Sequence, residues 1–320
     1  MAGALIFPGQ GAQKVGMASA FVNGFKAGLE VVEEIEDAIS FKLSRVVAEG
    51  PIEELTRTEN VQPAIFMVSM ACVRILEEEY GYVVEKRCKL LAGHSLGEYS
   101  ALCTAGAFSI ADAARIVRKR GELMADDTHR NNDAYCMAAL LGICASDIES
   151  VMLRYNSGDS ICVIANDNSP SEVVISGHRK AVATAIEEIK QSFDKARAIE
   201  LNTSGPFHSP LMAKAAIEFD KYLSEHHSFC NDLVIPVIMN VDTKPLTEKN
   251  RIHEYLVRQI IGRVRWRETS ELLVSDPDID RISEIAPGRI LTKMMKRTYP
   301  DANITALETI AQMEELEKEE

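Results

Sequence analysis

The chain opens on an unbroken apolar run, Ala4-Leu5-Ile6-Phe7, which reads as a short buried strand. From Phe25 to Val47 the apolar residues recur at helical spacing. Asn60, with Pro63 one turn ahead of Ile65-Phe66-Met67-Val68, marks the start of a second helix. That helix is apolar nearly all round, the pattern of one buried against a sheet. Leu90-Leu91-Ala92 reads as another strand and Glu98 to Leu102 as a helix behind it. Ser109-Ile110-Ala111-Asp112 is a capping-box-like start for a helix running to about Met124.

After a polar stretch, Thr128 to Asp133, the pattern changes. Tyr135–Leu141 reads as strand, Ser146–Tyr155 as helix, Ile161–Asp167 and Glu172–Ser176 as strands, Arg179–Gln191 as helix and Arg197–Leu201 as strand. The order βαββαβ predicts a small ferredoxin-like domain at residues 131–202, inserted into a larger α/β domain made of 1–130 and 203–320. The turn Asn166-Asp167-Asn168-Ser169-Pro170 between its middle strands is expected to face outward, toward the cleft with the large domain. A helix from Leu211 to about His227 follows. Leu233–Met239, Arg281–Ile285 and Asn303–Leu307 supply further strands, with helices near 248–261, 267–275 and 289–298. The acidic tail after Glu308 reads as a solvated helix.

Composition narrows the classes of function. A chain of 320 residues, 46% hydrophobic, can bury a large core. Its net charge of −13 disfavours nucleic acid, because binding phosphate requires a basic surface. The longest apolar segment, Ala64 to Leu76, is broken by Ser69 and Arg74, and Ala2–Phe7 is too short and lacks the basic flank of a signal peptide. No membrane association is expected. The seven cysteines are odd in number, form no CxxC pair and sit mostly among apolar residues, as reduced thiols of a cytoplasmic protein would.

The candidate chemistry centres on Gly93-His94-Ser95-Leu96-Gly97, set between a strand and a helix. That order is what a nucleophile elbow of an α/β-hydrolase-like domain requires: the glycines permit a turn too tight for side chains, and the turn lifts the Ser95 hydroxyl clear of the backbone. The Leu96 N–H then lies near a helix N-terminus, where it can stabilise an oxyanion. The alternative is an ordinary glycine-bounded turn carrying a solvated serine. Pro8-Gly9-Gln10-Gly11-Ala12-Gln13, a loop of small residues directly after a strand, makes Gln10 the candidate for a second oxyanion donor, although plain turn chemistry also explains such a loop. Arg120 lies on the apolar stripe of Ala113, Val117 and Met124 and points inward, whereas Arg115, Arg118 and Lys119 lie off it and are expected to be solvated. An inward guanidinium needs an anionic partner, either a protein carboxylate or a substrate's. Among the histidines, His208 in Ser204-Gly205-Pro206-Phe207-His208-Ser209-Pro210 is the candidate base for Ser95; His94 is locked beside the serine and is not placed to face it.

These blocks, together with Glu98-Tyr99-Ser100, Arg120-Gly121, Asn168-Ser169-Pro170, Leu211-Met212 and Val257-Arg258-Gln259, resemble in order the malonyl-CoA:acyl carrier protein transacylase family of bacterial fatty acid synthesis. The resemblance spans nearly the whole chain. It implies Ser95 as nucleophile, His208 as its base, and the Gln10 and Leu96 N–H groups as oxyanion hole. It also implies Arg120 as the clamp for the malonyl carboxylate, a main-chain carbonyl at Gln259 orienting the histidine, and Asn168 near the cleft. Malonyl-CoA and acyl carrier protein are the implied substrates, with no metal or redox cofactor, and a monomer is expected. Two departures bear on loop geometry: the segment Asn131–Cys136 lacks the family's usual glycine, and Ile260-Ile261-Gly262-Arg263 stands where an Asn-Pro pair is typical. Arg289, Lys293, Lys296 and Arg297, with Lys195 and Arg197, could form a basic rim for an acidic carrier. Two rival readings are an esterase or thioesterase, which would be expected to have an acidic triad member, and a catalytically silent docking module.

Overall fold

The structure is a computed structural model and describes residues 2–129, 134–155, 160–203, 205–226 and 231–318. Its strands are β1 (Ala2–Phe7), β2 (Cys88–Gly93), β3 (Tyr135–Leu141), β4 (Cys162–Ser169), β5 (Glu172–His178), β6 (Arg197–Glu200), β7 (Val237–Ile238), β8 (Pro245–Leu246), β9 (Ile279–Ile285) and β10 (Ile304–Leu307). The helices are α1 (Ser19–Val22), α2 (Lys26–Ile39), α3 (Leu43–Glu49), α4 (Ile52–Thr56), α5 (Thr58–Glu78), α6 (Val84–Arg87), α7 (Gly97–Thr104), α8 (Ile110–His129), α9 (Ala145–Met152), α10 (Arg179–Ser192), α11 (Ala213–Glu225), α12 (Ile252–Ile261), α13 (Trp266–Ser275), α14 (Ile290–Thr298) and α15 (Ile310–Lys318).

Two sheets organise these elements. The first has the order β10-β9-β1-β2-β7-β8, all neighbours parallel except the antiparallel β7–β8 edge. The second is antiparallel throughout, with the order β4-β5-β3-β6. The two are stitched together where β4 meets the segment before α13: Asp167 N–H donates to the Val264 carbonyl (2.9 Å) and Val264 N–H to that of Ala165 (2.8 Å). The fold is therefore mixed α/β with a largely parallel sheet. Among the described residues no helix is long and apolar enough to cross a membrane.

Several boundaries depart from the spacing-based expectation, each for a local reason. The helical pattern from Phe25 to Val47 breaks into α2 and α3 because Ser40 adopts a left-handed conformation (φ 52°). The buried Glu36 carboxylate then accepts from Ser44 N–H (2.7 Å) and Lys42 Nζ (2.9 Å). Helix α8 continues past Met124 to His129. The strand expected at 233–239 shrinks to two residues, and β8 pairs with it. The helix expected to end near His227 is seen to Glu225; His227, like Ser204 and residues 131–133 of the altered loop, lies outside the described residues.

Asn166–Ser169, expected as an outward turn, are the last four residues of β4, and all four are buried. Their polar groups have partners that a solvated turn would not need. Asp167 pairs with Arg267 (3.1 Å), and Asn168 hydrogen-bonds His94 and Glu172.

Helix α5 is buried along most of its length, as its pattern required. It begins five residues before Pro63, so Pro63 sits inside the helix, where it has no N–H for the Glu59 carbonyl. Arg118 on α8 fills that gap: its Nη1 donates to Glu59 O (2.8 Å) and to Asn60 Oδ1 (2.9 Å), while its Nε pairs with Glu122 (2.8 Å) and the guanidinium lies over the Phe41 ring. Arg118 is thus a half-buried bracket between α8 and α5 and is not a solvated residue; Arg115 is exposed as expected. Removing the bracket leaves a helix carbonyl unsatisfied. Arg118→Ala should cost about 1–3 kcal/mol in urea unfolding, while Arg115→Ala stays within about 0.5 kcal/mol of the parent.

Candidate active site

Strand β2 ends at Gly93 and α7 begins at Gly97, leaving three residues to reverse the chain. A Cβ on Gly93 would fall on the backbone of Gly97, and one on Gly97 would strike the Phe7 carbonyl at the end of β1, so only glycine closes this turn. Ser95 at its apex is held left-handed (φ 51°), the strained geometry of an elbow. Its backbone is clamped at both ends. Ser95 N–H donates to Asn240 Oδ1 (2.7 Å), and Gln259 Nε2 donates to Ser95 O (2.9 Å). Asn240 is locked in turn, with Nδ2 on Gly93 O (2.6 Å) and its own N–H on Glu98 Oε2 (2.6 Å).

The Ser95 hydroxyl meets His208. Its Oγ lies 2.7 Å from His208 Nε2, while His208 Nδ1 faces the carbonyls of Gln259 (2.9 Å) and Gly262 (3.1 Å). Carbonyls only accept, so Nδ1 carries the ring proton and Nε2 presents its lone pair to the serine O–H. His208 is itself left-handed (φ 57°) and buried, in the proline-bounded loop that precedes α11. Burial first, and the charge of Arg120 second, push its pKa down to about 3 against the pull of the two carbonyls. The imidazole is therefore neutral and ready to take a proton.

Arg120 points inward as its stripe position required and is 1% exposed. Its Nη1 donates to Gln62 Oε1 (2.6 Å), and its Nη2 to Gln259 Oε1 (3.0 Å) and Ser95 Oγ (3.2 Å). Three of the five guanidinium N–H groups are thereby used, and Nε is among those with no acceptor in the described residues. No carboxylate among the described residues forms an ion pair with it. Glu98 comes nearest, at one remove, through Gln259: the Gln259 amide nitrogen donates to Glu98 Oε1 (2.9 Å). Burial raises Glu98 to about 8, opposed by the Asn240 N–H, the Arg120 charge and the Gln259 amide.

Beside the elbow, the N–H groups of Gln10, after β1, and Leu96, at the start of α7, have no partner among the described residues and border the same cavity. The cavity, about 300 Å³, runs between the two sheets over Ser95, His208 and Arg120; Met124, Met137, Val174 and Leu201 give it an apolar wall. His94 turns away from Ser95: its Nε2 meets Asn168 Oδ1 (2.9 Å), and its ring packs edge-on against Trp266. Asn168 also donates to Glu172 (3.0 Å), so the expected cleft residue links the elbow to the second sheet.

All eight residues expected at the site therefore converge on one cavity or its supporting shell. The Gln259 carbonyl lies where the resemblance implied, and its side chain does a second job toward Arg120. The altered loop at 260–263 supplies a further acceptor, the Gly262 carbonyl. Asn240, Gln62 and Glu98 were given no role at the site from the sequence. Glu98 directly follows the elbow, but Asn240 and Gln62 are polar residues in apolar stretches, a weak signal for a buried hydrogen-bonding role.

The acyl transferase domain family model matches residues 4–319. The chain belongs to that family. It is 38% identical over 296 residues to the malonyl CoA-acyl carrier protein transacylase of Bacillus subtilis, covering 92% of this chain and 89% of that one. To the protein of the same name from Staphylococcus aureus it is 34% identical over 96% of each. The crystal structure of an acyl-carrier-protein-S-malonyltransferase from Bartonella henselae superposes with a TM-score of 0.92 at 42% identity, over 99% of this chain and 98% of that one. A malonyl-transacylase solved with a type II PKS acyl-carrier protein superposes at 0.91 and 33% identity over the full length of both.

An imidazole charged only near pH 3 keeps its acceptor nitrogen throughout the ordinary range. Labelling of Ser95 by a fluorophosphonate should therefore vary little between about pH 8 and about pH 5. A loss of rate with a midpoint near about 6.5, the value of an exposed histidine, would mean that His208 does not hold this neutral state.

Proposed function

We infer that this chain is an S-malonyltransferase: it moves a malonyl group from malonyl-CoA to the phosphopantetheine thiol of acyl carrier protein, supplying fatty acid synthesis. The observation that carries the substrate choice is the buried Arg120 guanidinium, 3.2 Å from Ser95 Oγ, with unmet donors and no carboxylate against it among the described residues. A carboxylate carried on the acyl group supplies the missing acceptor, and two parallel charge-assisted hydrogen bonds would hold it next to the reacting carbonyl.

In this reading His208 Nε2 takes the Ser95 proton as Oγ attacks the thioester carbonyl. The N–H groups of Gln10 and Leu96 receive the oxyanion, each worth about 3–4 kcal/mol. Ser95 N–H is not a third donor, because Asn240 already occupies it. The tetrahedral adduct collapses by expelling the coenzyme A sulfur, which takes the proton from His208, and malonyl-Ser95 remains. The carrier thiol then gives its proton to His208 and attacks the ester carbonyl, and Ser95 Oγ leaves with the proton that His208 returns to it, releasing the malonyl thioester of the carrier in a ping-pong cycle that uses only these groups and the two substrates. The carbonyls of Gln259 and Gly262 orient the imidazole, so the acidic third member expected of a thioesterase is replaced by main-chain acceptors.

The finer architecture goes with this reading. We divide the chain into a large α/β-hydrolase-like domain, 1–130 and 203–320, and a ferredoxin-like domain, 131–202. The elbow between β2 and α7 supports the first, and the βαββαβ order with sheet order β4-β5-β3-β6 supports the second. We place the enzyme in the cytoplasm as a monomer. Exposed Lys293 and Lys296 on α14, with Lys195 and Arg197 at the edge of the second sheet, are the proposed rim for the acidic carrier.

Incubation with malonyl-CoA should add one malonyl group to the intact mass, acyl carrier protein should remove it, and Ser95→Ala should abolish the addition. Labelling that persists in Ser95→Ala would move the nucleophile elsewhere. Arg120→Ala should lower kcat/KM for malonyl-CoA by about 3–5 kcal/mol, a few hundred- to a few thousand-fold, and leave acetyl-CoA nearly unaffected, with Lys restoring part of the loss. Equal slowing of both substrates would make Arg120 a structural residue.

A further inference from the structure

We propose that Glu98 is a positioning residue for malonyl specificity: through Gln259 it decides which atom faces Arg120. The inference rests on the malonyl-transfer reading above.

Glu98 is 1% exposed and is not among the residues that line the cavity. Its two oxygens are taken up by donors, Oε2 by Asn240 N–H (2.6 Å) and Oε1 by Gln259 Nε2 (2.9 Å). No acceptor faces either oxygen among its described hydrogen bonds, so the network is built for a carboxylate, which only accepts. The demand passes to Gln259. With Nε2 drawn to Glu98 and to Ser95 O (2.9 Å), both amide hydrogens are spent, and Oε1 is the atom left for Arg120 Nη2 (3.0 Å). Turning that amide over would set an NH₂ group against the guanidinium and an oxygen against both Glu98 and the Ser95 carbonyl, three mismatches in a buried site. Glu98 thus fixes the amide orientation, and the amide holds the guanidinium at Nη2, the nitrogen that also meets Ser95 Oγ.

An isosteric change exposes the relay. In Glu98→Gln the new side chain must turn its oxygen to the Asn240 N–H, which brings its NH₂ against Gln259 Nε2. Gln259 either clashes there or flips and presents NH₂ to Arg120. Both outcomes disturb the guanidinium, on which malonyl depends and acetyl does not.

The test compares kcat/KM for malonyl-CoA and acetyl-CoA in the parent, Glu98→Gln and Gln259→Leu, at about pH 9, where Glu98 is ionised. In both variants the malonyl-to-acetyl ratio should fall by about tenfold or more, beyond any loss common to both substrates that Gln259→Leu brings by releasing the Ser95 carbonyl. An unchanged ratio, or equal loss with both substrates in folded protein, overturns the proposal, since a merely structural role would not distinguish the two acyl groups. If Glu98→Gln does not fold, Gln259→Leu decides, because it removes the relay and leaves Glu98 in place; a parent-like ratio there overturns the proposal. The parent arm separates this inference from the function it rests on: a parent that takes up no malonyl refutes the function, whereas a parent that does, with variants of unchanged ratio, refutes only the role of Glu98.

Discussion

A full positive charge is held out of water at Arg120 by two neutral amide oxygens, the Ser95 hydroxyl and the face of the Tyr99 ring, and much of the site follows from that constraint. Desolvating a guanidinium without an adjacent anion is costly, and the protein meets the cost only in part, through Gln62, Gln259 and the Ser95 hydroxyl. The same charge helps keep His208 neutral beside it. The buried carboxyl of Glu98 is kept one residue away, so it steadies the guanidinium through Gln259 without satisfying it. A direct ion pair would have made a more comfortable interior and a site with no appetite for an anionic acyl group.

The elbow adds a second constraint. Ser95 and His208 both occupy left-handed backbone positions that a non-glycine residue adopts only when its surroundings impose them. For Ser95 those surroundings are Asn240 and Gln259, which come from segments near β7 and in α12, far along the chain from β2. The elbow serine is therefore mounted on contacts that exist only once the parallel sheet has assembled, and local folding of the β2–α7 unit alone would not supply them.

This dependence on distant segments explains what the sequence disclosed. Ser95, Leu96 and the two glycines are legible because the elbow is local: spacing and residue size dictate it within five positions. Arg120 is legible as inward because helical periodicity assigns a face, but its partners were not, since periodicity says nothing about what lies opposite. Asn240 and Gln62 are ordinary polar residues until the topology brings them to the site. The misread segment Asn166–Ser169 has the composition of a turn; its burial comes from Arg267, His94 and the strand bridge to Val264, all supplied by residues remote in sequence. Pro63 was legible as a helix-start signal but misplaced, because a side chain from another helix takes the carbonyl its ring strands.

The two free amides, at Gln10 and Leu96, emerge from loops that follow β1 and β2, and these strands are direct neighbours in register from Ala4 to Phe7. The two loops therefore start side by side, about 4.8 Å apart as adjacent hydrogen-bonded strands are in any sheet. A spacing set by strand pairing is beyond the reach of most point substitutions, so side chains on the walls and rim of the cleft can be changed while the backbone at its base keeps its place.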